Sequence, residues 1–294
     1  MKIAVVGANG FTGRRILKSL ALYKEHSIYG VSLNVDQWPS DGYHFIESDL
    51  TDLENMADIL GRISPDIVIN TAALSVAGYC ELHQKEAYTV NVTAVEHLAV
   101  CCERLGARLV HLSTDFVFDG KQHSFYTEED QPNPVNYYGY TKWKGEQAVA
   151  EHCSNWAIAR VVLVYGQPFL GQHSNIAHLV KSKLENNETV RVVADQWRTL
   201  SWVEDVVQGI KLLAFSSNTG IYHICGAECL SIAQIAYRVA GYFGLDSSLI
   251  IPVATEEMKE AVKRPRYSCL SIDKACRELG YKPHSLETGL EEMW

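Results

Sequence analysis

What constrains this chain most is a rhythm: short apolar runs alternate with helical patterns through its first half. Lys2 to Val6 is long enough for a buried strand and too short for a helix, and Phe11 to Tyr23 follows as a helix. Strands are predicted at Ser27 to Leu33 and Tyr43 to Glu47, then a helix from Asp52 to about Ser64-Pro65 and a strand at Asp66 to Asn70. A long helix, Glu81 to Leu105, is closed by Gly106. Ala107 to Ser113, Tyr138 to His152 and Trp156 to Val164 continue as strand, helix and strand. Buried strands alternating with helices imply right-handed βαβ units and a parallel sheet covered on both faces. Beyond Tyr165 the rhythm loosens. Helices are predicted at Asn175 to Asn187, Glu204 to Phe215 and Ser231 to Phe243, with strands at Thr189 to Val193 and Gly220 to Ile224. Neither a Gly-, Ser- or Pro-rich linker nor an internal repeat divides the halves, so the second reads as a lobe packed on the first.

Composition narrows the partners. Against 26 Lys plus Arg stand 35 Asp plus Glu, a net charge of −9 over 294 residues. An acidic surface argues against nucleic acid as the main partner, because a phosphate backbone needs a basic one. Small anionic ligands remain open. At 47 % hydrophobic the chain is no disordered segment. No apolar run reaches the roughly 18 residues that would span a bilayer. Met1 leads straight into a strand and a glycine loop, which does not read as a signal peptide, and a cytoplasmic protein is expected. The eight cysteines form no C-x-x-C pair and no zinc pattern, so buried, reduced thiols and no metal site are expected.

Gly7-Ala8-Asn9-Gly10-Phe11-Thr12-Gly13 falls between the first strand and the first helix. A strand, a tight turn and a helix N-terminus together make an anion site suited to a pyrophosphate, with glycines where the backbone turns sharply or packs closely. The G-x-x-G-x-x-G spacing resembles that of the extended short-chain dehydrogenase/reductase superfamily. At the end of the second strand, where an acid would bind the ribose of NAD, the chain has Ser32-Leu33-Asn34 and no acid before Asp36. Ser32 tolerates a 2′-phosphate, and Arg14 or Arg15 is either its partner or a solvated helix residue. NADP is therefore favoured, with NAD as the alternative. Asp49-Leu50 resembles the superfamily's adenine-contacting pair, and also reads as part of a helix N-cap cluster.

Tyr138 and Lys142 stand four residues apart and share a helix face. A lysine charge there would lower the phenol pKa from about 10, making the tyrosine a proton donor or acceptor. Tyr140 and Lys144 have the same spacing, turned by about 200°. Only one pair can face the sheet, and spacing does not choose.

Asn136-Tyr137-Tyr138-Gly139-Tyr140-Thr141-Lys142, with Gly145-Glu146, resembles the N-x-Y-G-x-[ST]-K-x-x-G-E pattern of the dTDP-4-dehydrorhamnose reductase family. Ser113-Thr114-Asp115-Phe116-Val117-Phe118-Asp119-Gly120 is similar to its S-T-D-Y-V-F-D-G. The likeness runs from the glycine loop through Asn70-Thr71-Ala72-Ala73, Arg160 and Asp195-Gln196 to Arg264-Pro265, most of the chain. The resemblance implies a Rossmann-type doubly wound α/β domain over residues 1–165 and a smaller C-terminal α/β substrate lobe over 166–294, interleaved with it. It implies Tyr138 as general acid, Thr114 polarising a substrate carbonyl, and Lys142 binding the nicotinamide ribose while lowering the phenol pKa. Asp115 would lie near the sugar, Ala72, Ala73, Leu74 and Ser75 beside the nicotinamide ribose, and Asn91 on a helix supporting the triad.

The chain departs from the family on the substrate side. Leu163 stands where a tryptophan is usual, Leu74 replaces a histidine, and Asp195-Gln196-Trp197-Arg198-Thr199-Leu200-Ser201 lacks the family's proline. Trp197 or Trp202 would either restore a stacking surface or pack in the core. Arg198, Arg264 and Arg266 are candidates for a nucleotide diphosphate, or surface charge. The resemblance thus predicts an NAD(P)H-dependent reductase of a 4-keto-6-deoxy sugar nucleotide, with a homodimer as its assembly. Its alternatives are a sugar-nucleotide epimerase and a cofactor-binding regulatory subunit like the β subunits of methionine adenosyltransferase.

Overall fold

In the computed structural model, which describes residues 1–169 and 175–294, the predicted rhythm becomes one parallel sheet. Its first strands are β1 (Lys2–Val6), β2 (Ser27–Ser32), β3 (His44–Glu47), β4 (Ile67–Asn70), β5 (Arg108–Thr114) and β6 (Trp156–Val161). The strand Gly220–His223 pairs in parallel with β6, and the seven lie in the order Gly220–His223, β6, β5, β4, β1, β2, β3. The chain changes direction between β1 and β4, and in a doubly wound sheet the crevice at that switch point is where ligands sit.

Alternation along the strands sorts the two faces. Ile3, Val5, Ile67 and Val110 face one way, against Ile16, Leu17 and Leu20 of α1 (Phe11–Leu20) and Val206, Ile210 and Leu213 of the helix Val203–Phe215. Ala4, Val6, Val68 and Leu109 face the other, against Met56, Ile59 and Leu60 of α2 (Leu53–Ile63) and against Val95, Leu98 and Ala99. Helix Val203–Phe215 and strand Gly220–His223, both beyond position 165, therefore complete the main sheet and its cover. A third core gathers Val180, Leu184, Val192, Ile235, Val239 and Leu290 from the rest of the second half.

Three sequence expectations are corrected. The helix expected at 81–105 is broken into α3 (Ala77–Leu82), α4 (Gln84–Tyr88), a π-helical turn (Thr89–Thr93) and α5 (Ala94–Leu105). His83 leaves helical geometry, and the π turn carries an extra residue that aims Asn91 into the protein. The strand expected through Val164 stops at Val161, because Leu163 adopts φ +36°. Not every thiol is free: Cys229 and Cys269, 40 residues apart in sequence, meet as a disulfide across a Cα–Cα distance of 5.5 Å. Cys80, Cys101, Cys102, Cys153 and Cys225 are free and buried, whereas Cys276 is free and exposed. Among the described residues no helix is long and apolar enough to cross a membrane, and no cluster of His, Cys, Asp and Glu is placed to hold a metal.

Candidate active site

Strand β1 delivers the chain into a turn that demands glycine. Gly7 sits at φ +83°, and a Cβ on it would lie 2.6 Å from the Ala72 amide nitrogen. A Cβ on Gly13 would stand 2.3 Å from the Gly7 carbonyl oxygen. Thr71 Oγ1 donates to the Val6 and Gly7 carbonyls at 2.9 and 3.2 Å, tying the ends of β1 and β4 together. Helix α1 then starts at Gly10 with no side-chain cap and no acid in its first turn, so nothing of its own neutralises its positive end.

Two cavities meet at that end. One, of about 790 Å³, is lined by Gly7, Gly10, Ser32, Asp49, Leu50 and Ala72 to Leu74. The other, of about 660 Å³, takes in Phe11, Thr12, Gly13, Ser75, Thr114, Asp115, Tyr138, Lys142 and Leu163. Gly10, Thr71 and Ala73 line both. A cradle that any Cβ would fill, open amides and an elongated pair of cavities suit a dinucleotide. Asn9 lines neither cavity: its Nδ2 donates to the carbonyls of Asn34 and Val35 at 3.0 and 2.9 Å, pinning the loop after β2. The Asp49 carboxylate accepts from the Thr51 amide and hydroxyl, both at 2.8 Å, so it shapes the turn as well as lining the cavity. Arg14 and Arg15 are not solvated, nor do they line the cavity at Ser32. Arg14 is fully buried, 2.9 Å from Asp36 and over the ring of Tyr43, and Arg15 meets Glu204 at 3.1 Å.

Thr114 ends β5 and accepts from the Phe116 amide at 3.2 Å, turning the chain into the 3-10 segment Asp115–Val117. Against this turn lies α6 (Tyr137–His152), capped by Asn136 Oδ1. Two glycines let it approach: a Cβ on Gly139 would be 2.1 Å from the Phe116 carbonyl, and one on Gly145 2.5 Å from that of Asn91. Tyr138 is thereby set edge-on to Phe116, within hydrogen-bonding reach of Thr114. Burial pushes its phenol well above the ordinary value, and the Thr114 hydrogen bond opposes this only in part. The expected lowering by Lys142 is not found: burial dominates, and the nearby Asp115 charge raises the phenol further. Lys142 is itself 2 % exposed, and burial pushes its amine down to about 8 despite the opposing carboxylate of Glu146. Tyr140 and Lys144 line neither cavity: Tyr140 packs on Tyr137 at 5.6 Å, and Lys144 donates to Gln147. The inward frame is therefore Tyr138 with Lys142.

Asn91 braces this arrangement from the π turn. It accepts from the Leu74 amide at 2.9 Å, and donates to the Leu74 carbonyl at 2.9 Å and to Thr141 Oγ1 at 3.0 Å. From the second half, Arg198 and Ser268 reach the buried Asp115 carboxylate, Arg198 at 3.6 Å. Burial raises the Asp115 carboxyl, and Arg198, Ser268 and Thr114 pull it back. Arg198 lines the second cavity and also donates to the carbonyls of Trp197 and Pro265, both at 2.7 Å, so it braces a loop as well. Arg266 pairs at the surface with Asp195 and Glu256, whereas Arg264, like Arg198, lines the second cavity, beside Glu260. Trp197 and Trp202 stand outside it, against Tyr267 and His284. Sequence reasoning missed Arg191, which does line it, together with Gln196 of the substrate-side motif. An arginine set among valines in Val190–Val193 was a signal for the first.

Sheet, glycine cradle and paired cavities define a dinucleotide-binding protein of the extended short-chain dehydrogenase/reductase class. A family model described as the RmlD substrate binding domain matches residues 1–294, and the chain belongs to that family. It is 32 % identical over 296 residues to a dTDP-4-dehydrorhamnose reductase of Burkholderia thailandensis, covering 95 % of this chain and 93 % of the relative. It is 28 % identical to methionine adenosyltransferase 2 subunit beta of Danio rerio, covering 93 % and 83 %. The crystal structure of dTDP-4-dehydrorhamnose reductase from Bacillus anthracis in complex with NADP superposes with a TM-score of 0.85 at 28 % identity, over 99 % of this chain and 98 % of that one.

Proposed function

We propose that this protein is an NAD(P)H-dependent reductase of a 4-keto-6-deoxy sugar nucleotide, with NADPH favoured and NADH as the alternative. The observation that carries the reading is that Thr114, Tyr138 and Lys142 line one cavity with the Gly10 to Gly13 end of α1.

The glycine cradle would hold the pyrophosphate, with Ser32, Asp49 and Leu50 at the adenosine end and Ala72 to Ser75 and Lys142 at the nicotinamide end. When bound, the nicotinamide supplies the hydride that reduces the keto carbon. Thr114 donates a hydrogen bond to the keto oxygen, an oxyanion-type contribution. Tyr138, whose raised pKa keeps the phenol protonated at neutral pH, gives its proton to that oxygen as negative charge develops there. Leu163 offers the sugar an apolar surface, and Arg264 with Arg191 supplies cations of the geometry that a diphosphate prefers.

Incubation with NADPH and dTDP-4-dehydrorhamnose, followed at the nicotinamide absorbance band, tests this. Oxidation of the nicotinamide supports the reductase. Tight NADPH binding without oxidation by this or related keto-sugar nucleotides favours a second reading, a dinucleotide-binding regulatory subunit, for which the likeness to the Danio rerio subunit speaks.

A further inference from the structure

Behind Lys142 stands a histidine that the proposed reaction does not use. His111 of β5 is wholly buried, with Nδ1 3.1 Å from Asn70 Nδ2 and Nε2 3.2 Å from Lys142 Nζ. Asn70 and His111 are register partners on adjacent strands, so their side chains are held side by side. A neutral imidazole has one N–H and one lone pair, and such a chain can run in only one direction at a time.

Asn70 fixes the direction. One end of its amide receives the Ala72 backbone N–H at 3.1 Å. A backbone N–H only donates, so the atom facing it is the amide oxygen, and the atom facing His111 is the amide nitrogen. That nitrogen only donates in turn. His111 Nδ1 must therefore accept, which puts the ring proton on Nε2, pointing at Lys142 Nζ. An ammonium has no lone pair to receive it; an amine has one. The same Nζ donates to the Leu112 carbonyl at 2.6 Å, which an amine can do as well.

We propose that His111 is a positioning residue that sets the protonation of Lys142, holding it as a neutral amine until dinucleotide binding supplies a new partner and a proton is taken up from solvent. The cationic lysine of the reductase reading is then formed on binding rather than standing preformed. This role rests on that reading, whereas the wiring itself can be tested without turnover.

The surroundings agree. Burial brings the amine down to about 8, and an N–H aimed at Nζ lowers it further. Burial alone holds His111 well below its ordinary value, so it stays neutral beside an uncharged amine. Glu146, one helical turn on, would favour the ammonium, but its carboxylate is bound twice by Arg160. The Asp115 carboxylate is engaged by Arg198 and Ser268. The Tyr138 phenol and the Cys80 thiol are both raised, Cys80 to about 11, and carry no charge near neutrality.

The test uses the full chain labelled with 15N-histidine and no added dinucleotide, since imidazole 15N shifts separate the two tautomers from the imidazolium. The resonance of His111 is the one lost in His111→Gln or moved in Asn70→Asp. The expected result is a neutral Nε2–H ring between about pH 6 and pH 9. Asn70→Asp should reverse the wiring, because a carboxylate accepts from both Ala72 N–H and Nδ1–H, leaving Nε2 to accept from a charged Lys142. Calorimetric titration with NADPH in buffers of different ionisation enthalpy should show about one proton taken up near pH 8.5, falling toward zero in Asn70→Asp. An Nδ1–H ring or an imidazolium in the unsubstituted protein overturns the proposal, as does a tautomer unmoved by Asn70→Asp or binding without proton uptake. Absence of turnover with the tautomer intact counts against the reductase reading instead.

Discussion

Glu146 and Arg160 form a doubly hydrogen-bonded ion pair out of water, Nε to Oε1 at 2.9 Å and Nη2 to Oε2 at 2.7 Å. The pair joins α6 to β6, and Arg160 also covers the ring of Phe118 at 5.0 Å. Arg160→Met leaves a buried carboxylate without its partner, a loss of about 3–5 kcal/mol. Adding Glu146→Leu to it should recover much of that loss. Unfolding midpoints in urea measure both, and a double variant no more stable than the single one contradicts the account.

Tyr138→Phe should lower turnover by about 10²-fold or more, the usual size of a lost general acid. Tyr140→Phe should change it by less than about twofold, because its ring stands outside both cavities. Initial rates for the two variants decide which tyrosine serves. The opposite ranking would mean that the outward frame is the reactive one.

At Gly13 a methyl group would meet the Gly7 carbonyl at 2.3 Å and Thr71 Oγ1 at 2.5 Å. Gly13→Ala should therefore push α1 away from β1 and weaken NADPH binding by at least tenfold, read by fluorescence titration. Gly61→Ala, where a Cβ would meet nothing within 4 Å, should leave binding unchanged and hold or raise stability.

His223 predicts an acid-sensitive fold. Burial first, and the charge of Arg160 second, hold its imidazole down to about 3. Between that value and the ordinary 6.5 the unfolded chain binds a proton that the folded chain refuses. Stability is therefore complete above about pH 6.5 and falls as pH drops toward 3. Thermal midpoints at pH 7 and pH 4.5 should differ by less in His223→Asn, which keeps a donor for the Ser271 carbonyl that Nδ1 meets at 3.0 Å. An unchanged difference would move the acid sensitivity elsewhere.

Much of the fold was legible because parallel strands buried on both faces must be continuously apolar, as Ile67 to Ile69 are. Local chemistry also announced itself: glycines at 7, 10 and 13, and a tyrosine and lysine one turn apart. What stayed hidden depends on distant neighbours. Arg198 reads as a free cation until its hydrogen bonds are seen to go to the carbonyl of Pro265, 67 residues away. Cys229 and Cys269 obey no spacing rule, because only the packing of the folded chain brings residues 40 positions apart together. Leu163 sits in an apolar run that reads as strand, yet its backbone turns left-handed. The break at His83 was equally silent, since nothing in Glu81 to Leu105 forbids one unbroken helix.

The π turn at Thr89–Thr93 makes the site sensitive to chain length as well as to the identity of Asn91. Deleting one residue there would let an ordinary helix run through, gaining regularity while rotating Asn91 by about 100°. Leu74 would lose both hydrogen bonds to that asparagine, and the wall it gives the first cavity would come loose. A shorter segment would thus make a better helix and a poorer enzyme, and an alignment that closes a one-residue gap there would erase the feature that matters.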